Sequence, residues 1–159
     1  TIGGQPRHRL ARLSATSGLA DSFDPNSNNN VLGLALDSAA GNIYICGDFT
    51  TIGGQSRNRT TVLSLATGLA GALNPGANNT VSVLRLDGSG NLYVVEQLNK
   101  AVRQITPSGE VTTIAGSADF GSTDGTGPTA RFVNPAAITF SPSVRRLVHD
   151  YSRVSAVPT

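Results

Sequence analysis

Thr51-Ile52-Gly53-Gly54-Gln55-Ser56-Arg57-Asn58 repeats, with two changes, the string Thr1-Ile2-Gly3-Gly4-Gln5-Pro6-Arg7-His8. Ile52 follows Ile2 by 50 residues, so a unit of that length sets the architecture before any propensity is weighed. The correspondence runs well beyond the motif. At the same offset Leu13 matches Leu63, Gly18-Leu19-Ala20 matches Gly68-Leu69-Ala70, Pro25 matches Pro75, and Val31 matches Val81. Leu34, Leu36 and Asp37 then match Leu84, Leu86 and Asp87, and after a one-residue deletion Asn42-Ile43-Tyr44 matches Asn91-Leu92-Tyr93.

Inside each unit the hydrophobic period is two. Leu32, Leu34 and Leu36 alternate with Val31, Gly33 and Ala35, which predicts a strand with one bulky and one small apolar face, both buried between neighbouring sheets. Turn formers at residues 38 to 42 and 88 to 91 then lead into strands starting at Ile43 and Leu92, a hairpin used twice. A third strand is expected at residues 10 to 14 and 60 to 65, and a short fourth at residues 19 to 23 and 69 to 73. Gly3, Gly4, Gly53 and Gly54 are structural turn residues at the joint between strands, where a positive φ or close backbone approach is needed. Farther on, residues 101 to 105 and 111 to 115 flank Thr106-Pro107-Ser108-Gly109-Glu110 as an outer hairpin. Residues 116 to 134 form a loop, residues 136 to 140 and 146 to 149 another hairpin around Ser141-Pro142-Ser143, and residues 153 to 157 a further strand.

Composition supports an all-β chain: 18 Gly and 8 Pro among 159 residues, with only 14% charged. A net charge of +2 is too small to call for a polyanionic partner. No run approaches the ~18 apolar residues of a membrane span. The chain contains no Met, which predicts a processed chain or a piece of a longer one. Cys46 lies in an apolar run and is expected to be a buried, inert thiol.

Candidate chemistry is sparse. Arg7 and Arg9 recur as Arg57 and Arg59, with Arg145-Arg146 beyond, yet 5 Phe, 3 Tyr and no Trp offer few platforms for stacking bases. A structural role fits better, with these arginines pairing Asp37, Asp48 or Asp87 at corners, and no nucleic-acid partner is assigned. Asp48 reads as a hairpin-end residue bonding backbone rather than a general base. Asp119 and Asp124 sit in a Gly/Ser/Thr-rich loop without the alternating oxygen ligands of a calcium loop, so a plain turn is expected. The two histidines, His8 and His149, fall in different units. No catalytic residue, cofactor or metal ligand is assigned. Asn58-Arg59-Thr60 and Asn78-Asn79-Thr80 are sequons, making Asn58 and Asn78 candidate glycosylation sites.

The string Gly47-Asp48-Phe49-Thr50-Thr51-Ile52-Gly53-Gly54-Gln55, with Gly68-Leu69 and the turn Asn74-Pro75-Gly76, resembles the delta-60 repeat of bacterial-type β-propellers over about residues 1 to 95. From about residue 91 to 157, Asn91-Leu92-Tyr93-Val94-Val95, Asp124-Gly125-Thr126-Gly127 and Ala130-Arg131-Phe132-Val133-Asn134-Pro135 resemble pieces of an NHL repeat. That pattern departs at Glu96-Gln97, where the family usually has Ala-Asp, and at residues 149 to 153, which are shorter and lack the customary Asn. Both resemblances imply propeller blades, and neither implies one activity, since NHL propellers include RNA-binding modules, a lyase and secreted scaffolds. The expectation is a β-propeller segment of about three four-stranded antiparallel blades, incomplete at both termini. Residues 1 to 30 supply outer strands of a partial blade, 31 to 80 and 81 to 134 a blade each, and 135 to 159 a partial blade. Closed propellers need about four to eight blades, so the chain is expected to associate with itself, as an oligomer or filament, or with the remainder of a longer chain. A non-catalytic extracellular or cell-surface assembly or recognition module follows. The alternatives are a metal-dependent lyase or hydrolase working in the channel, and an RNA-binding module.

Overall fold

The computed structural model describes residues 1–140, 146–150 and 153–157, with the backbone alone described at residues 140, 146, 147, 149 and 153–157. The expected turn at Ser141 to Ser143, and Arg145, lie outside the described residues, as do the side chains of Arg146 and His149.

The alternating leucines form β1 (Val31–Asp37), which pairs antiparallel with β2 (Asn42–Gly47), Leu34 opposite Ile45. Asp37 closes the turn by accepting the Ala40 backbone N–H at 3.0 Å. Next comes a two-residue hairpin, β3 (Thr51–Ile52) against β4 (Gln55–Ser56), formed by the repeated motif itself. Gly53 and Gly54 occupy its corner at φ +60° and +77°, the pair of left-handed residues that the tightest hairpin turn demands. The first copy bends the same way, with a bridge between Ile2 and Gln5 around Gly3 and Gly4. β5 (Thr60–Ser64) completes a three-stranded sheet in the order β1-β2-β5.

The second unit repeats this start and extends it. β6 (Val83–Leu86), β7 (Leu92–Glu96), β8 (Ala101–Ile105) and β9 (Val111–Gly116) form a four-stranded meander in sequence order. Asp87 takes the place of Asp37 and holds its turn with three bonds, from the backbone N–H of Ser89 at 2.9 Å and Asn91 at 2.8 Å and from Asn91 Nδ2 at 2.9 Å. Partial burial pulls the Asp87 carboxyl up, but the Asn91 and Ser89 donors outweigh it and leave its pKa below the ordinary 3.8. A depressed folded pKa adds stability that is complete above the unfolded value and lost as pH falls below it. Asp87→Ala is therefore expected to cost about 1 to 2 kcal/mol at pH 7 and clearly less at pH 3, as read from urea unfolding at both pH values.

After a loop holding one 3-10 turn (Gly127–Thr129), β10 (Pro135–Phe140), β11 (Arg146–Asp150) and β12 (Arg153–Val157) form a three-stranded antiparallel sheet. All-β architecture is thus observed, while among the described residues four strands per sheet hold only for β6 to β9. The expected third strand at residues 10 to 14 and the short fourth strands shrink to single bridges, Leu13 with Ala20 and Leu63 with Ala70. β5 owes its strand to pairing with β2, whereas the bridges lie across tight turns in which the Gly18 N–H donates to the Ser14 carbonyl at 2.9 Å and the Gly68 N–H to the Ser64 carbonyl at 2.8 Å.

Three apolar cores lie between these layers, which is how propeller blades stack. Leu10 and Phe23 cover Ile43, Ile45 and Leu63 on the first sheet. Cys46 packs with Val81, Leu84, Leu92, Val94 and Ile105 between the first and second sheets. Tyr93, Val95, Val102 and Phe132 pack with Ile138 and Val148 between the second and third. One expectation fails here: the bulky face of β1 is not buried. Leu32, Leu34 and Leu36 are 48%, 53% and 59% exposed, because residues 10 and 23 cover only the outer part of that sheet.

Candidate functional site

The exposed leucine row is the most unusual surface among the described residues. Strand alternation puts Leu34 and Leu36 on one face, with Leu32 exposed beside them at the register shift between Val31 and Gly33, and Gly33 and Ala35 point the other way, toward β6. A Cβ added at Gly33 would stand 3.5 Å from the backbone nitrogen of Leu84, so the small face permits close approach of the next sheet. Leu84, the counterpart of Leu34 in the second unit, is fully buried by that approach. Three leucines half in water on a rigid strand form a contiguous apolar strip rather than scattered surface residues.

The recurring arginines serve the joints. Arg9 Nη1 donates to the Ser27 carbonyl at 2.8 Å, and its counterpart Arg59 to the Ala77 carbonyl at 2.9 Å, both from left-handed backbone at φ 68° and 64°. Arg7 reaches the Asp21 carbonyl, and Arg57 donates Nη2 to the Gly71 carbonyl at 2.6 Å. The structural role stands, but with backbone carbonyls as acceptors in place of the expected Asp37, Asp48 or Asp87. Carbonyls buried at blade corners need donors, and a fixed guanidinium fork supplies them. Asp48 also differs from expectation: its carboxylate accepts the Thr80 hydroxyl at 2.6 Å, tying the first sheet to the second.

Glu96, noted in the sequence only as a departure from the NHL pattern, belongs to a polar group between those same two sheets. Glu96, only 3% exposed, accepts from Arg103 Nε at 2.5 Å and from Asn99 Nδ2 at 3.0 Å. Arg103 Nη1 continues to Thr113 Oγ1 at 2.7 Å. The pair borders a cleft of about 280 Å3 shared with Thr60, Val81, Val94 and Ile105. A charge ending the apolar run Leu92-Tyr93-Val94-Val95 was the signal available for it.

The remaining candidates are dispersed. Asn58 and Asn78 are both exposed, and Asn78 Oδ1 accepts from Asn99 Nδ2 at 2.9 Å. His8 Nδ1 meets Asp24 at 3.2 Å on the surface. Asp119 pairs with Arg131 at 3.4 Å. Among the described residues no cluster of three or more His, Cys, Asp and Glu is placed to hold a metal ion, and no helix is long and apolar enough to cross a membrane. Cys46 is fully buried, and desolvation pushes its thiol up to about 12. Since the thiolate is the nucleophile, Cys46 is expected to resist an aromatic disulfide reagent at pH 8 and to react stoichiometrically in denaturant, which a colorimetric thiol titration checks.

No protein-family model and no curated protein sequence matches the chain. Solved structures match its fold. A structural genomics protein of unknown function from Bacteroides thetaiotaomicron superposes at a TM-score of 0.63 with 19% identity, over 86% of this chain and 35% of that one. The extracellular domain of a protein described as a hybrid two-component system from B. thetaiotaomicron gives 0.65 with 15% identity, over 94% of this chain and 20% of that one. Virginiamycin B lyase from Staphylococcus aureus gives 0.53 with 14% identity, over 81% and 41%. The chain thus spans between a fifth and two fifths of these neighbours, and the likeness establishes a β-propeller-like fold.

Proposed function

We propose that the chain is a non-catalytic assembly or recognition module of an extracellular β-propeller, associating with itself or with further blades of its own chain. The observation that carries this is the half-exposed row Leu32, Leu34 and Leu36, a strip of apolar surface on the strand that faces a neighbouring blade in the second unit. Fully burying a leucine is worth about 1.5 to 3 kcal/mol, so covering the exposed half of each of these three gains roughly half of that per side chain. In this reading residues 1 to 95 are delta-60-like and residues 91 to 157 NHL-like. Blades run from 31 to 80 and 81 to 134, with partial blades at 1 to 30 and 135 to 159. Extracellular placement is supported by a neighbour that is an extracellular domain and by two exposed sequon asparagines, Asn58 and Asn78, which are then glycan acceptors. A propeller enzyme is the competing reading, favoured by the lyase among the neighbours.

Light scattering across a concentration series tests the assembly reading. The expected result is a mass rising above the 16.3 kDa of one chain as concentration increases. A single species of that mass at every concentration contradicts self-association.

A further inference from the structure

The cleft between the first and second sheets has both of its walls within this chain, and strand register fixes which side chains look into it. Thr60 pairs with Cys46, which packs on Leu84, Val94 and Ile105 of the second sheet, so Thr60 faces that sheet as well. On the other wall Arg103 pairs with Val94 and therefore faces back toward the first sheet. Glu96, two residues beyond Val94 on the same strand, shares that face.

The internal repeat separates what the blade needs from what this cleft adds. Ile43 and Ile45 stand where Leu92 and Val94 do, so Gly47 takes the position of Glu96. Thr61, opposite Ile45, takes the position of Arg103, opposite Val94. Gly47 has no side chain, and Thr61 Oγ1 donates to the Leu73 carbonyl at 2.7 Å, so the first unit builds the same two strands without a charge. A buried carboxylate costs desolvation even when it is paired, and the repeat shows that these strands form without one.

The hydrogen bonding of the added pair is also unfinished. Both bonds to Glu96, from Arg103 Nε and Asn99 Nδ2, end on Oε2, and Oε1 has no donor among the described residues. Arg103 uses Nε on Glu96 and Nη1 on Thr113, and Nη2 has no acceptor there. Thr60 Oγ1, fully buried in the facing wall, has no partner either. The Arg103 side chain is about a third exposed, so its free edge is within reach of solvent, and Pro75, Ala77 and Val111 give the cleft an apolar rim.

These atoms state the chemistry of a guest. Carboxylate and guanidinium cancel in charge, so a net-charged molecule would leave one charge unmatched in a poorly hydrated cleft. A free oxygen on the anion beside a free nitrogen on the cation matches a molecule that carries its own cation and anion a few bonds apart, since hydrogen bonds between ionised partners are the strong ones. At about 280 Å3 the cleft falls just below the ~300 Å3 where pockets for drug-sized ligands begin, which suits one small molecule. We infer that the cleft binds a free α-amino acid with an aliphatic side chain. Its ammonium lies on Glu96 Oε1, its carboxylate on Arg103 Nη2, and its side chain along Pro75, Ala77 and Val111. The inference does not rest on the assembly reading, because one chain supplies both walls.

Amide NMR spectra of the isotope-labelled chain, titrated with L-leucine, test it. Saturable shifts are expected at Glu96, Arg103 and Val111. Isocaproate lacks the ammonium and L-leucinamide the carboxylate, and each is expected to bind about tenfold or more weakly than leucine. Glycine, without the side chain, is expected to bind more weakly too. Glu96→Gln keeps one oxygen for Arg103 and Asn99 but turns the free oxygen into an N–H donor, so a loss of leucine affinity by a similar factor is expected from a chain whose spectrum stays folded. Should that variant unfold, Arg103→Lys, which keeps the charge and loses Nη2, replaces it with the same expected loss. No saturable shift with millimolar leucine overturns the site, as does unchanged leucine affinity in the folded variant. Leucinamide or isocaproate binding as tightly as leucine overturns the zwitterion, and glycine doing so overturns the apolar rim. None of these outcomes bears on self-association, which light scattering reads separately.

Discussion

Gly53→Val is expected to lower the unfolding free energy by about 3 kcal/mol or more, whereas Gly54→Val costs only about 1 to 2. Both residues are left-handed, at φ +60° and +77°, so both substitutions carry the backbone penalty of a side chain there. Space separates them. A Cβ at Gly53 would lie 2.5 Å from the Ala70 nitrogen and 2.9 Å from both the Gly68 carbonyl oxygen and Leu63 Cδ2, while one at Gly54 meets nothing within 4 Å. The Gly53 backbone also donates to the Pro25 carbonyl at 2.7 Å and accepts from Ala70 at 3.0 Å, so it cannot move aside without breaking the contact between one unit and the next. Gly3 is surrounded in the same way, by Ala20, Leu13 and Gly18. Equilibrium denaturation of the two single variants checks this; equal losses at 53 and 54 would mean that the hairpin, not its packing, is what the glycines serve.

Arg103→Met is the second large effect, an expected loss of about 2 to 4 kcal/mol. Glu96 is nearly sealed from water, and without Arg103 its charge keeps only the Asn99 amide among the bonds that hold it. Arg103 itself is about a third exposed, which keeps the loss toward the lower end of what breaking a buried pair costs. Replacing both partners removes the stranded charge, so Glu96→Met with Arg103→Met is expected to be more stable than Arg103→Met alone. A double variant no better than the single, measured by the same denaturation, would show that packing around the Arg103 stem and not the ion pair matters. At the cleft between the first and second sheets this pair acts as a polar bolt, and its loss is also expected to loosen Asn99 from Asn78 and Asn79.

The unit length, the hairpins and the all-β class were legible in the sequence because they reside in local chemistry: a 50-residue self-match, alternation of apolar residues, and turn formers at fixed places. Burial of the leucine row was not. Alternation says which side chains share a face, and Leu34 and Leu84 are the same residue in the same pattern; whether a hairpin lies over that face depends on the neighbouring layer. The arginine contacts escaped for a related reason. Arg9 and Arg59 bind carbonyls 18 residues downstream, and a backbone acceptor has no residue type to recognise. Glu96 and Arg103 sit on adjacent strands, where Glu96 opposes Ala101, so the pair is diagonal and invisible until the β7–β8 register is known.

The central claim is that association of one chain with another covers Leu34 and Leu36. Methyl signals of selectively labelled leucines, recorded with a water-soluble paramagnetic probe over a concentration series, test it directly. Leu69 and Leu98, at 60% and 61% exposure, are internal controls as accessible as the β1 row. As concentration rises, the methyls of Leu34 and Leu36 are predicted to lose their relaxation by the probe while those of Leu98 keep theirs. Undiminished relaxation of Leu34 and Leu36 in step with Leu98, at every concentration, would contradict the claim.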